Sequence, residues 1–164
     1  MNNAFPDVRL RRLRRTAAIR DMFGMDAPSP AKFIWPVFVV PGSGRREPIP
    51  SLPGQFRFSA DELVKALAPV VASGVKSIIL FGQMEDSKGK DECGTPAADP
   101  RGAVQRAIPV VKKAYPDLIV LTDVCLCAYT SHGHCGPHDA EGDIDNDAAC
   151  EMLARVAVSH ARAG

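Results

Sequence analysis

The chain has 164 residues, 46% hydrophobic and 24% charged, with a formal net charge of +1 at pH 7. That length and apolar content suffice for the core of one ordinary α/β domain, and the near-neutral charge excludes a general affinity for nucleic acid or anionic membrane. The longest apolar run, Phe33 to Val40, is broken by Pro36 and falls far short of the ~20 residues that span a bilayer, so no transmembrane or secretory segment is expected. Small molecules and other protein chains are the expected partners. An odd number of cysteines, five, clustered rather than spread as a framework, fits a reducing compartment and metal chemistry better than disulfides, with the cytoplasm as the expected location.

In chain order, Arg9, Arg11, Arg12, Arg14 and Arg15 surround Leu10 and Leu13 ahead of a short helical pattern from Thr16 to Phe23. Residues 1–30 read as an arm before the domain, suited to packing on a neighbouring subunit; a solvated tail is the bland alternative. Asp7, Asp21 and Asp26 are out of place in a transit peptide. Phe33–Val40 reads as a buried strand, with Pro36 tolerable near an end or at a bulge. Pro41–Arg57, rich in Pro, Gly, Ser and Arg, reads as a long loop. Ser59-Ala60-Asp61-Glu62 has capping-box spacing, Leu63, Leu67, Val70 and Val71 mark one face of the helix it starts, and Gly74 supplies the stop.

Val75–Phe81 predicts a second strand, continuously apolar through Ile78-Ile79-Leu80 as for a parallel strand covered on both faces. A polar loop from Gln83 to Asp99 follows, including Lys88, Lys90, Asp91 and Glu92. Asp99-Pro100 predicts a cap with proline at the first helical position, and Val104, Ile108 and Val111 continue at helical spacing. Tyr115-Pro116-Asp117 turns the chain into a third strand, Leu118–Val124, and a third helix is predicted from about Asp145 to His160. The order is β-α-β-α-β-α, with long, chemically rich strand-to-helix connections and short helix-to-strand ones. In parallel α/β folds function gathers at the carboxyl ends of the strands. Three such units fit either an open sheet or part of a barrel, and a complete eightfold barrel needs ~250 residues.

The strongest chemical signal is Asp123-Val124-Cys125-Leu126-Cys127-Ala128-Tyr129-Thr130-Ser131-His132-Gly133-His134-Cys135-Gly136, which holds three of the five cysteines and two of the four histidines. Cys125 and Cys127, two apart at a strand end, point the same way, and Cys135 can return from a loop eased by Gly133 and Gly136. Three thiolates suit zinc and leave a fourth tetrahedral position open to water or a substrate oxygen. The spacing lacks the paired C-x2-C knuckles of structural zinc sites, so buried or redox-active thiols are the alternative. His134 is a possible fourth ligand of a closed site. His132 and His138 read as loop hydrogen-bonders, His160 as lying at the margin of an apolar helix face, and Cys93 and Cys150 as bystanders, Cys150 on the inner face of the third helix. The acidic run Asp139, Glu141, Asp143, Asp145, Asp147 fails as a calcium loop, because the required glycine and glutamate are Ala148 and Ala154. Helix capping accounts for it.

The Asp123–Gly136 stretch closely resembles the metal-site motif of zinc-type porphobilinogen synthase, the delta-aminolevulinic acid dehydratase family. Arg11-Arg12-Leu13-Arg14-Arg15, Pro36-Val37-Phe38-Val39, Glu47-Pro48-Ile49 with Leu52-Pro53-Gly54, and Gly142–Asp147 are similar to that family in order and spacing. The resemblance covers essentially the whole chain but only the amino-terminal half of the family's. It implies the first three strand-helix units of a (β/α)8 TIM barrel in residues 31–164, preceded by the arm, commonly in a homo-octamer. It further implies condensation of two molecules of 5-aminolevulinate into porphobilinogen, with loss of two waters, in tetrapyrrole and haem biosynthesis. By that resemblance Cys125, Cys127 and Cys135 are zinc ligands, and Asp123 is an active-site aspartate handling the substrate amine or a proton. The family's Schiff bases form on two lysines of later strands, and none of Lys32, Lys65, Lys76, Lys88, Lys90, Lys112 or Lys113 sits in that context. The expectation is therefore an enzyme fragment inactive on its own, with a non-catalytic zinc-binding remnant or subunit-interaction fragment as the alternative.

Overall fold

The computed structural model describes residues 11–22, 28–84 and 89–164, with the side chain of Asp21 left out. Arg9 and Leu10 of the basic arm, Phe23 at the end of its helical pattern, and Lys88 lie outside the described residues. Within the arm, a 3-10 turn at Arg12–Arg14 leads into a short helix α1, Ala17–Met22, and Leu13 and Met22 are exposed.

The sheet contains β1 (Ile34–Val39), β2 (Arg46–Pro48), β3 (Phe56–Phe58), β4 (Ser77–Gly82) and β5 (Ile119–Thr122), in the order β2-β3-β1-β4-β5. β3, β1, β4 and β5 are parallel neighbours, and β2 runs antiparallel on β3. The β2–β3 hairpin falls where a loop was expected. Its signal is the Phe56-Arg57-Phe58 alternation: Phe58 is buried against the core while Phe56 carries the Arg46 guanidinium 4.1 Å above its ring.

Pro36 lies inside β1 rather than at an end or bulge. The ladder explains why. Val39 O accepts from Gln83 N and Val40 N donates to Phe58 O, so even-numbered residues of β1 aim their main-chain groups at β3. Pairing with β3 begins only at Phe38, and Pro36 therefore forfeits no sheet hydrogen bond.

Three helices follow the parallel strands: α2 (Ala60–Ala72), α3 (Ala103–Ala114) and α4 (Asn146–Ala163), α2 packing on α3 and α3 on α4. Val37, Val39, Ile78 and Leu80 meet Leu63, Leu67, Val104, Ile108 and Val111 in the main core. On the other face of the sheet the rings of Phe38 and Phe81 meet at a tilt of 33° with centroids 5.5 Å apart and are only half-buried. The helices thus share one face of a mostly parallel sheet whose strands β1, β4 and β5 advance in one direction.

Local start signals are partly corrected. Ser59 precedes α2, but its hydroxyl makes no capping bond; it accepts from Arg45 N at 2.9 Å and donates to Asp61 Oδ1 at 2.5 Å, tying α2 to the hairpin. α3 starts at Ala103, not Pro100, because Asp99 Oδ1 accepts from Arg101 N and turns the chain before the helix. Gly74, at φ +96°, ends α2 in the left-handed conformation that glycine adopts without strain. The α4 cap is as expected: Asp145 Oδ1 accepts from Ala148 N at 3.0 Å.

Candidate metal centre

Asp123 is the first residue past β5, its N–H bonded to Leu80 O across the sheet. This places it at the carboxyl end of the strands, level with Phe81 and Phe38 in the parallel register. The chain then leaves the sheet. Leu126, fully buried, anchors the excursion among Ala97, Met152 and Val156. Thr130, also fully buried, donates its hydroxyl to His134 O at 2.6 Å, and the segment bridges Asp91 in parallel through Ser131 N to Asp91 O. Two buried pegs, Leu126 and Thr130, therefore alternate with the cysteines and hold the loop that carries them.

The three predicted cysteines converge. Cys125 Sγ lies 3.4 Å from Cys127 Sγ and 3.3 Å from Cys135 Sγ, and all three sulfurs lie within 4.8 Å of one another. With Zn–S bonds of ~2.3 Å, tetrahedral geometry separates two thiolates by roughly 3.8 Å, so a small opening of the trio accommodates a divalent ion. Cys127 and Cys135 are exposed and Cys125 is half-buried, so the group is accessible from solvent. Burial opposes ionisation of Cys125, yet the Cys127 amide and the Cys135 and Cys127 thiols lower its pKa. Burial, a thiol bond to Cys125 and the charges of Cys125 and Cys135 push Cys127 up to about 11. Of the three, Cys125 is the thiol whose ionisation its neighbours favour, and loading a metal releases the protons that its ligands hold. The chemistry of the donor set fits a soft, tetrahedral divalent ion with one open position.

Among the described residues His134 does not join the group. Its ring lies against those of His132 and His138, which stack with centroids 3.9 Å apart. His134 N donates to His132 Nδ1 at 3.2 Å, which leaves His132 Nε2–H to donate to Glu92 O at 3.1 Å. Cys93 and Cys150 lie outside the triad; Cys150 is exposed rather than on the inner face of α4, which is formed by Ala149, Met152, Val156 and His160. His160 is fully inside, not marginal, at 6% exposure. Gly133 takes φ +81° in an open turn, whereas Gly136 is buried and a Cβ there would meet Ala149 Cβ at 2.7 Å. Gly136 thus serves close packing on α4.

Asp123 is half-buried, and burial raises its pKa while the nearby His160 opposes the rise. Tyr129 was not singled out from the sequence. Its hydroxyl sits over Gly82 at the end of β4, where a Cβ would come within 1.8 Å of it, and burial with the charges of Asp123 and Cys127 pushes its pKa up to about 12. The long connection after β5 thus brings a carboxyl, a phenol and three thiols to one end of the sheet.

Comparison with known proteins gives the family. The profile of the family described as Delta-aminolevulinic acid dehydratase matches residues 7–164. Curated relatives of that name include those of Methanothermobacter thermautotrophicus, 44% identical over 99% of this chain and 49% of its own length, and Bacillus subtilis, 44% identical over 95% of this chain and 47% of its own. The crystal structure of delta-aminolevulinic acid dehydratase (porphobilinogen synthase) from Toxoplasma gondii ME49, in complex with the reaction product porphobilinogen, superposes with a TM-score of 0.86 at 36% identity. It covers 96% of this chain and 44% of that one. The chain spans about half the length of the curated relatives it matches. On the thiol triad, the mostly parallel α/β sheet and a match running from residue 7 to residue 164, this chain belongs to the delta-aminolevulinic acid dehydratase family.

Proposed function

We propose that this chain contributes the metal-bearing part of a porphobilinogen synthase. In this reading residues 1–30 form a subunit-embracing arm, and residues 31–164 form the first three units of a (β/α)8 barrel in a cytoplasmic homo-oligomer, an octamer in the full-length family. The one-directional advance of β1, β4 and β5 with helices on a single face supports a barrel over a doubly wound sheet. Among the described residues no helix is long and apolar enough to cross a membrane. The observation that carries the proposal is the convergence of Cys125, Cys127 and Cys135 beside Asp123 at the carboxyl end of the sheet.

Cys125, Cys127 and Cys135 would hold zinc, which when bound supplies a Lewis acid for one 5-aminolevulinate. Asp123 would receive the substrate amine or hold a proton there, a reading supported by burial, which favours its protonated form more than in an ordinary aspartate. Tyr129 walls the same space with a neutral hydroxyl. The chain's own lysines are poor candidates for carbonyl chemistry, which needs a desolvated amine. Among the described residues none is buried, and the Glu62 hydrogen bond raises the pKa of Lys65, keeping it protonated.

The test is to assay the chain with zinc and 5-aminolevulinate, alone and mixed with the carboxyl-terminal half of the Bacillus subtilis relative. Porphobilinogen only in the mixture is the expected result. Robust turnover by the chain alone would overturn the division of labour, and zinc binding without rescue would support a non-catalytic remnant.

A further inference from the structure

We infer that Asp91 is a positioning residue of the metal centre: its carboxylate shapes a clasp, residues 91–95, that seats the cysteine loop and sets how tightly Cys125, Cys127 and Cys135 hold an ion. The inference rests on the metal reading above. Cys127 and Cys135 are exposed, so their own packing does not place them, and the hold must come from the residues between them. The clasp belongs to the connection after β4, whereas the thiols belong to the connection after β5, and Asp91 organises the contact of the two loops.

The carboxylate folds the clasp on itself. Asp91 Oδ1 accepts from Cys93 N and Thr95 N, each at 3.0 Å, and Oδ2 accepts from the Thr95 hydroxyl. Burial opposes its ionisation, yet the Thr95 hydroxyl and the amides of Thr95, Gly94 and Cys93 hold its pKa below the ordinary aspartate value, so both oxygens act as acceptors. Gly94 takes φ +69° in the bend, and a Cβ there would crowd Leu126 Cβ at 3.1 Å and Thr130 Cγ2 at 3.2 Å. The bend thus lies directly on both pegs of the cysteine loop.

From the clasp two paths lead to the sulfurs. Leu126 stands between Cys125 and Cys127 in sequence and shares a buried cluster with Ala97, in the 3-10 turn Thr95–Ala98 that the clasp starts. On the other path, Asp91 N donates to Tyr129 O at 3.4 Å, Ser131 N donates to Asp91 O at 2.8 Å, and His132 Nε2 donates to Glu92 O at 3.1 Å. Thr130, held between the first two of these bridges, donates to His134 O, next to Cys135. One carboxylate therefore braces the Cys125–Cys127 pair and Cys135 through a single turn. Removing groups that orient metal ligands from behind typically weakens metal binding by roughly 10–100-fold.

Cobalt titration of the chain, followed by the thiolate-to-metal absorption, reads the affinity, and the intensity per bound ion reads how many thiolates contribute. Asp91→Ala should weaken cobalt binding by about tenfold or more and give a spectrum approaching that of Cys135→Ser, whereas Asp91→Asn, whose amide oxygen still accepts from the two N–H groups, should recover much of the loss. Thr130→Val cuts the link to His134 O and leaves the turn whole; it should also weaken binding, and less than additively with Asp91→Ala, because the two act in part on one path. Leu67→Ala, at a fully buried position of α2 in the main core, is the control for stability: it should lower the urea midpoint and leave cobalt binding unchanged. Wild-type affinity and spectrum in Asp91→Ala, or in Thr130→Val should Asp91→Ala not fold, overturns the inference, as does equal weakening by Leu67→Ala. A wild-type chain that binds no cobalt overturns the metal reading and this inference with it, while Asp91-dependent cobalt binding without porphobilinogen in the mixture with the carboxyl-terminal half defeats only the proposed activity.

Discussion

Gly82→Ala tests how the sheet supports the metal loop. Gly82 closes β4 and its φ is not positive, so alanine meets no backbone strain there. The obstacle is space. A Cβ would lie 1.8 Å from Tyr129 Oη, 3.1 Å from Tyr129 Cζ and 2.9 Å from Val104 Cγ2. Val104 is 1% exposed in the main core and has little room to move, so the phenol must yield, taking with it the chain between Cys127 and Cys135. Overpacking of this kind costs about 1–3 kcal/mol, and the upper part of that range is expected because two sides of the methyl are blocked. Urea denaturation gives the stability change, and cobalt titration through the thiolate-to-metal absorption gives the affinity of the triad. Tyr129→Phe removes the atom at 1.8 Å and leaves Cζ at 3.1 Å, so the double variant should regain much of the loss, with a coupling of about 1 kcal/mol or more. Gly133→Ala is the control in the same loop: at φ +81° with nothing within 4 Å it should cost about 1 kcal/mol from backbone strain alone and show no coupling to Tyr129. Unchanged stability and cobalt affinity in Gly82→Ala, or strict additivity with Tyr129→Phe, would refute the reasoning.

Tyr129 also makes stability depend on alkali. Its pKa rises from 10.0 in an exposed chain to about 12 in the fold, so between those values the unfolded chain loses a proton that the fold retains. Stability is intact below pH 10 and falls as pH rises to 12, by at most about 2–3 kcal/mol for two units; denaturation series should show this component missing in Tyr129→Phe. Cys135→Ser removes one of three thiolates and should lower cobalt affinity by roughly a hundredfold or more, whereas Cys150→Ser, exposed on α4, should leave the titration unchanged. Leu80→Ala empties a fully buried position between the sheet and its helices and should destabilise by about 2–5 kcal/mol, read by the urea midpoint.

The triad was legible because its signal is local. Cys125 and Cys127 share a side through two-residue periodicity, and Cys135 is close enough in sequence to return. The helices α2, α3 and α4 were legible from apolar periodicity, but their first turns were less so. Ser59 and Asp99 each have a side chain suited to capping, and both spend it elsewhere, Ser59 on Arg45 and Asp61, Asp99 on Arg101. Competition between equivalent hydrogen-bond partners is settled by which neighbours the fold delivers. The β2–β3 hairpin escaped for the same reason, since its strands of three residues each are held by pairing on β1 and packing of Phe58.

The sequence by itself determined the three long helices and the apolar strands β1, β4 and β5 between them, the cysteine cluster and the family, because these rest on residue type and on spacings within a few turns of chain. Only the tertiary structure decided that Pro36 can sit inside a strand, that Tyr129 rests on Gly82, that His134 turns to its fellow imidazoles, and that His160 is buried with one nitrogen unanswered. Each of those facts depends on contacts between segments distant in sequence, and burial, steric exclusion and the sharing of hydrogen bonds become definite only when those segments meet.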